Sequence, residues 1–278
     1  MIKFLVDSAS DYTCDEAHAC GLEYAPLKVQ IDGKEYESGV DLNSDQFYEK
    51  LIATDEFPKT SQPSPSKFVE IFEKAESNHD ELICVLLSTG LSGTYQSATL
   101  AKEIVGYQAI HLIDSLSATH MIRIIVDYGR RLAEEGFTAA DIVEELNKIK
   151  SKIRVIVAVD TLEYLCMGGR LSRVQAKIGE MASIKPIVSL NEVGSVFVKG
   201  KALGTNKCLN YLVNLYKTSN IDERFPVYSL YTYGENNVSK LEDKLKENNL
   251  KFDGRGQIGS TIGAHVGPGA YGIIFVEK

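Results

Sequence analysis

The first half of the chain alternates short apolar runs with longer amphipathic stretches. Ile2-Lys3-Phe4-Leu5-Val6 opens the series, and strand-like positions continue from Leu22 to Ile31, where Asp32-Gly33 supplies a turn. The unbroken runs Leu82-Ile83-Cys84-Val85-Leu86-Leu87 and Ala109-Ile110-His111-Leu112-Ile113 have the character of strands buried on both faces, as in a parallel sheet. Helices are expected between them. Asn43 and Gln46 have the spacing of a capping box for a helix holding Phe47, Leu51 and Ile52, and Ser64-Pro65 opens another holding Phe68, Phe72 and Ala75. A further helix, Gln96 to Ile104, comes after the Leu87 run. Strands alternating with helices predict an α/β fold whose mostly parallel sheet is covered by helices.

The pattern changes after Thr138, an N-cap for the amphipathic stretch containing Ile142, Val143, Leu146 and Ile149. The domain boundary is placed there, giving an N-terminal domain at 1–153 and a C-terminal domain at 154–278. The second domain opens with Val155-Ile156-Val157-Ala158-Val159. A Gly-Gly-Arg turn, a helix and a hairpin come next, the hairpin pairing Pro186–Leu190 with Ser195–Lys199 around Asn191-Glu192-Val193-Gly194. Helices at 206–217 and 237–248 flank strands at 227–231 and 272–276. This predicts a smaller α/β domain with antiparallel strands, packed beside the first with the ligand between them.

Composition narrows the classes. A chain of 278 residues, 44% apolar and 24% charged, is long enough for two ordinary globular domains. An acid at Asp7 interrupts the N-terminal apolar stretch, and no uncharged apolar run approaches the roughly 18 residues of a membrane span, so a cytoplasmic protein is expected. Five cysteines without CxxC spacing disfavour a disulfide framework and a structural zinc site. The net charge of −8 opposes a nucleic-acid role. Residues 151–207, however, carry nine Lys and Arg against four acids, a surplus of five positive charges that leaves −13 on the remainder. That segment suits an anionic small molecule or an acidic partner, or is a solvated face of mixed charge.

Ligands in open parallel sheets sit beyond the carboxyl ends of the strands, which directs attention to the residues just past each apolar run. Asp7-Ser8 and Asp114-Ser115 place two Asp-Ser pairs on one edge, where turn capping is the alternative to function. Ser88-Thr89-Gly90-Leu91-Ser92-Gly93-Thr94-Tyr95 is a glycine-bearing turn into a helix. It aims backbone N–H groups and the positive end of the helix dipole at an anion, with Ser92 and Thr94 as added donors. The turn lacks the lysine of a P-loop, the spacing of a nucleophile elbow and the glycines of a dinucleotide fingerprint, so anion binding is favoured over serine activation. Lys59-Thr60-Ser61-Gln62-Pro63-Ser64-Pro65-Ser66 is a hydroxyl-rich loop able to reach the same cleft, and His265 stands among four glycines that give it access.

Asp7-Ser8-Ala9-Ser10-Asp11, Thr60-Ser61-Gln62-Pro63-Ser64, Gly90-Leu91-Ser92-Gly93-Thr94-Tyr95, Gly168-Gly169-Arg170-Leu171-Ser172 and Gly263-Ala264-His265-Val266-Gly267-Pro268-Gly269-Ala270, taken in this order along the whole chain, closely resemble the DegV family. The resemblance implies a fatty acid such as palmitate, stearate or oleate buried between two α/β domains, with no further cofactor. It implies that Thr60 and Ser92 grip the carboxylate, with His265 in the network, Arg170 in a second tier, and Ser61, Gly93 and Thr94 alongside in the same motifs. It also implies a non-catalytic role: the protein presents its lipid to the separate catalytic subunit of a bacterial fatty acid kinase, with transient contact at a membrane surface. One departure is Leu203, which stands where the family commonly has an arginine. At about 0.8 kcal/mol per methylene, a tail of roughly 15 methylenes contributes on the order of 12 kcal/mol gross. Two other readings compete. One is a hydrolase using Ser92 or Thr60 with His265, oriented by Asp7 or Asp114. The other is an adaptor whose lipid is only structural and whose basic 151–207 segment docks a protein partner.

Overall fold

A computed structural model of the chain describes residues 1–172 and 184–278. The chain begins with β1 (Ile2–Asp7), a 3₁₀ turn (Ser8–Ser10), α1 (Cys14–Ala19), β2 (Leu22–Ala25), β3 (Lys28–Ile31) and β4 (Lys34–Glu37). Next come α2 (Ser44–Ala53), β5 (Lys59–Ser61), α3 (Pro65–Ser77), β6 (Glu81–Leu86), α4 (Thr94–Val105), β7 (Ile110–Asp114), α5 (His120–Glu134) and α6 (Ala139–Ile149). Strands β1, β2, β6 and β7 form a parallel sheet in the order β2-β1-β6-β7. The expected helix starts are present: Asn43 and Gln46 form both halves of a capping box, Ser64 caps α3 with Pro65 at its first position, and Thr138 accepts from the Asp141 N–H.

The apolar stretch from Leu22 to Ile31 is two strands rather than one. Pro26 has no N–H to give a ladder, and the chain leaves the parallel sheet there. β3 turns back on β4 through Asp32 and Gly33, both at positive φ as a tight two-residue hairpin requires, and also pairs with β5. The result is a separate antiparallel sheet of order β4-β3-β5. Thr60 and Ser61 consequently lie on a strand, not in a loop.

Past a 3₁₀ turn (Lys150–Lys152) come β8 (Ile153–Ala158), α7 (Glu163–Met167), β9 (Ile184–Leu190), β10 (Val196–Leu203), α8 (Gly204–Thr218), β11 (Tyr228–Tyr231), α9 (Asn236–Glu247), β12 (Gly254–Gln257), α10 (Ser260–Val266) and β13 (Tyr271–Val276). Their strands make a six-stranded sheet, β10-β9-β8-β13-β11-β12, antiparallel except for the β11–β12 pair. The second half has fewer residues but the wider sheet. Strand β12, Gly-Arg-Gly-Gln, carries no apolar signal and is recruited by its neighbour. The helix expected between the Gly-Gly-Arg turn and the hairpin falls within 173–183, outside the described residues. His265, among its glycines, lies on α10.

Alternation along β8 decides which side chains meet the other half. Ile156 and Ala158 pack under α8 and α9 with Leu209, Leu212 and Leu241. Val155 and Val157 turn the opposite way, into a core that also holds Phe4, Val6, Ile83 and Val85 of the parallel sheet. The two sheets therefore bury their inner faces in one continuous core, and full burial of each such valine contributes about 2 kcal/mol. A pocket remains where that core reaches the carboxyl ends of the parallel strands.

Candidate functional site

The pocket encloses about 760 Å³ of empty space, with open solvent at its mouth included. Its walls are apolar, among them Leu87, Val155, Val157, Val188, Leu190 and Ile258. Thr60, Ser92, Arg170 and His265 also line it, and contacts between their elements bring them near one another.

β5 carries Thr60 opposite Val29 of β3, and α10 brings His265 against it, with 2.7 Å between Thr60 Oγ1 and His265 Nε2. Burial, followed by the nearby Arg170 cation, lowers the His265 pKa to about 4, so the ring is neutral at pH 7. Its Nδ1 is buried without a partner among the described residues. Gly168 lies directly against that nitrogen: a Cβ there would stand 2.1 Å from His265 Nδ1, so only glycine fits.

Ser92 sits in the turn that leads into α4, whose N-cap is Gly93. Ser92 Oγ lies 2.9 Å from Thr94 Oγ1 and accepts from the Thr94 N–H at 3.3 Å. The side chain of Gln62 packs over Gly93, where a Cβ would be 2.1 Å from Gln62 Oε1, and its Nε2 donates to Ser97 Oγ at 2.9 Å. Gln62 thereby fixes the Thr60 strand against the Ser92 turn. Arg170 closes the group from the second half: its Nε donates to the Leu91 carbonyl at 2.9 Å and its Nη1 to the Gly168 carbonyl at 2.6 Å. Burial lowers its pKa, yet a guanidinium keeps its charge, and among the described residues it forms no ion pair with a carboxylate.

The structure thus brings together four of the seven residues read from the sequence. The other three are placed differently. Ser61 is exposed on β5, Thr94 is buried behind Ser92, and Gly93 contributes the close approach just described without lining the pocket. Sequence reasoning misses Gln62 and Gly168, although each lies inside a short motif that it marks.

The Asp-Ser pairs serve the fold. Asp7 is fully buried and accepts from the N–H groups of Ala9 at 2.9 Å and Leu87 at 2.7 Å; burial raises its pKa to about 7. Asp114 accepts from Thr89 N, Thr89 Oγ1 and Leu116 N. Neither carboxylate reaches His265, and Ser92 Oγ pairs with Thr94, so no serine–histidine–acid relay is assembled among the described residues. No cluster of metal-ligating side chains occurs among the described residues, and none of their helices is long and apolar enough to cross a membrane.

Similarity to known proteins covers the whole chain. The sequence profile of uncharacterised proteins of the DegV family matches residues 1–278. A DegV domain-containing protein of Caldanaerobacter subterraneus subsp. tengcongensis is 37% identical over 280 residues, spanning 100% of this chain and 99% of that protein. A fatty-acid-binding DegV family protein from Thermus thermophilus superposes with a TM-score of 0.89 at 28% identity, covering 100% and 99% of the two chains. A stearic acid-binding protein from Eubacterium ventriosum gives 0.89 at 26% identity, and DegV, a fatty acid binding protein from Bacillus subtilis, gives 0.84 at 27%, each with 100% of this chain and 99% of the other covered.

Proposed function

Because the chain belongs to the DegV family, we propose that it binds one long-chain fatty acid, with the carboxylate at Thr60, Ser92, Arg170 and His265 and the tail in the apolar pocket. The observation that carries this reading is an apolar cavity whose lining also holds two hydroxyls, a neutral histidine and a guanidinium. A neutral His265 that keeps its proton on Nε2 donates to Thr60 Oγ1, which frees the Thr60 hydroxyl proton for the ligand. Ser92 donates a second bond, the amino end of α4 adds its partial charge, and Arg170 offsets the anion from its anchored position. Tail burial supplies most of the affinity, and the head group sets the orientation.

The same reading makes the protein a cytoplasmic lipid carrier without catalysis of its own, built from an N-terminal domain at 1–153 and a C-terminal domain at 154–278. Its acid is held for a separate fatty acid kinase subunit that forms acyl-phosphate. Family resemblance supports that role, as does the lack of a phosphate-binding lysine in the Ser88–Thr94 turn. Leu203, which the resemblance sets against the family's arginine, is exposed at the end of β10, and whether it alters that pairing is read from kinase turnover with Leu203→Arg.

Native mass spectrometry of the purified protein, followed by denaturing extraction, tests the binding. A copurified fatty acid lost in Thr60→Ala and in Ser92→Ala is expected; a protein that stays empty and takes up no added fatty acid would overturn the reading. The kinase role is tested separately by acyl-phosphate formation from ATP when the loaded protein is mixed with a fatty acid kinase catalytic subunit. No turnover with a protein that demonstrably holds lipid would remove that role and leave binding intact.

A further inference from the structure

The loop from β7 to α5 brings to the pocket wall a polar residue that the carboxylate site does not use. Thr119 lines the pocket and is 5% exposed, and its Oγ1 is buried without a hydrogen-bond partner among the described residues. It stands at the N-cap of α5, where a threonine hydroxyl ordinarily accepts from a first-turn N–H, yet its side chain makes no such bond. Its companions in the wall include the apolar Leu27, Leu87, Ala118 and Ile258. None of the contacts that bring Thr60, Ser92, Arg170 and His265 together involves Thr119, which makes it a separate polar point in the wall.

The backbone accounts for the missing cap. Thr119 has φ 58° and ψ −148°, a conformation that only glycine adopts with ease. Its neighbours hold it there: Thr119 N donates to the Ala9 carbonyl at 2.7 Å, and the Ser117 carbonyl accepts from Ser88 N at 3.0 Å. The loop is thus pinned to the ends of two strands of the parallel sheet, β1 and β6, and the side chain is carried to the pocket rather than to the helix. The methyl and hydroxyl groups of threonine are similar in size, so one step in χ1 exchanges them and turns Oγ1 towards a ligand.

We propose that Thr119 is a second recognition point for the acyl chain, and that the pocket accepts fatty acids bearing a hydroxyl within the chain, which pairs with Thr119 Oγ1. The inference deepens the fatty-acid reading above and rests on it. A wholly apolar wall rejects such a chain, because its hydroxyl would be buried without a partner. Here each hydroxyl can donate to or accept from the other, and the pair satisfies both. A plain alkyl chain forms no such pair, so the wall distinguishes the two ligands.

The test measures dissociation constants for octadecanoate and for its 3-, 10- and 12-hydroxy derivatives. At least one hydroxy acid should bind the wild type within about threefold of octadecanoate. Thr119→Val keeps the shape and removes the hydroxyl; it should weaken that acid by about tenfold and change octadecanoate by less than about threefold. Thr119→Gly, which suits the backbone and also lacks the hydroxyl, should raise the ratio of the two constants by a similar factor, and Thr119→Ser should leave that ratio unchanged. If every hydroxy acid binds the wild type more than tenfold more weakly than octadecanoate, or if the ratio is the same in the wild type, Thr119→Val and Thr119→Gly, the proposal is overturned. Failure of the wild type to bind octadecanoate itself would instead overturn the fatty-acid reading on which it rests.

Discussion

Two polar groups meet α10 one helical turn apart, one at Ser260 and Thr261 and the other at His265, and the chain uses them in opposite ways. The deeper group is closed. Ser8 Oγ lies 2.9 Å from Thr261 Oγ1, Thr261 donates to Ser38 at 2.9 Å, Ser38 lies 2.7 Å from Ser260, and Leu27 N donates to Ser8. All four hydroxyl residues are buried, and they tie the first half to α10. The shallower group is open: Thr60, Ser92, His265 and Arg170 line a cavity that Thr261 of the closed group also reaches, and His265 keeps a nitrogen without a partner among the described residues. Hydroxyls that satisfy one another make structure, while hydroxyls left with spare donors facing a cavity make a site. Serine and threonine occur in both groups, so for these hydroxyls the partners separate the two roles.

The largest expected effect tests the open group through pH. His265 has its folded pKa depressed from 6.5 to about 4, so its contribution to stability is fully present above the unfolded value and is lost as pH falls from about 6.5 towards 4. The full loss is about 3 kcal/mol. Asp7, raised to about 7, runs the other way: its contribution is present below its unfolded value of 3.8 and is lost as pH rises through 7. Denaturation of the wild type and of His265→Gln at pH 7 and pH 4 separates the two, since Asp7 is common to both. The His265→Gln protein should be relatively more stable at pH 4, and parallel profiles would refute the assignment.

Next in size is the closed group. Ser38→Ala leaves Ser260 Oγ without its Ser38 partner and Thr261 with Ser8 alone, in a buried setting, and should cost about 2 kcal/mol in urea denaturation. Fatty-acid affinity of the folded protein should change by less than about threefold. A variant that keeps its stability but loses ligand would merge the two groups into one site. In the open group, Thr60→Ala or Ser92→Ala should reverse that outcome, with affinity reduced about tenfold and stability shifted by under about 0.5 kcal/mol. Isothermal titration beside thermal melts reads both. The smallest effect is expected at Ser61, which is exposed and off the pocket. Ser61→Ala should move neither affinity nor stability by more than about 0.5 kcal/mol, and a tenfold loss of ligand would return Ser61 to the site.

Much of the molecule is legible along the chain. Capping residues name the starts of α2, α3 and α6 because a cap is a contact within four residues, and the two long apolar runs announce β6 and β7 because strands buried on both faces have no polar alternation to hide them. Thr60, Ser92, Arg170 and His265 stand out through short motifs, while Gln62 and Gly168 in those same motifs do not, since their part is to lie against a residue far away in sequence. The α10 helix and β12 offer too little periodicity in seven and four residues to be read.

By itself, then, the sequence determined the α/β class, the starts of α2, α3 and α6, the excess positive charge of 151–207 and the hydroxyls and basic groups of the candidate site. Each is a local property, fixed by caps, period or composition. The tertiary structure alone decided that β3 leaves the parallel sheet, that Val155 and Val157 face the pocket while Ile156 and Ala158 do not, and that Asp7 and Ser8 are spent on the fold while Thr60 and Ser92 are not. Those outcomes depend on which donor meets which acceptor across some 250 residues, and burial makes every such pairing too costly to leave unmet.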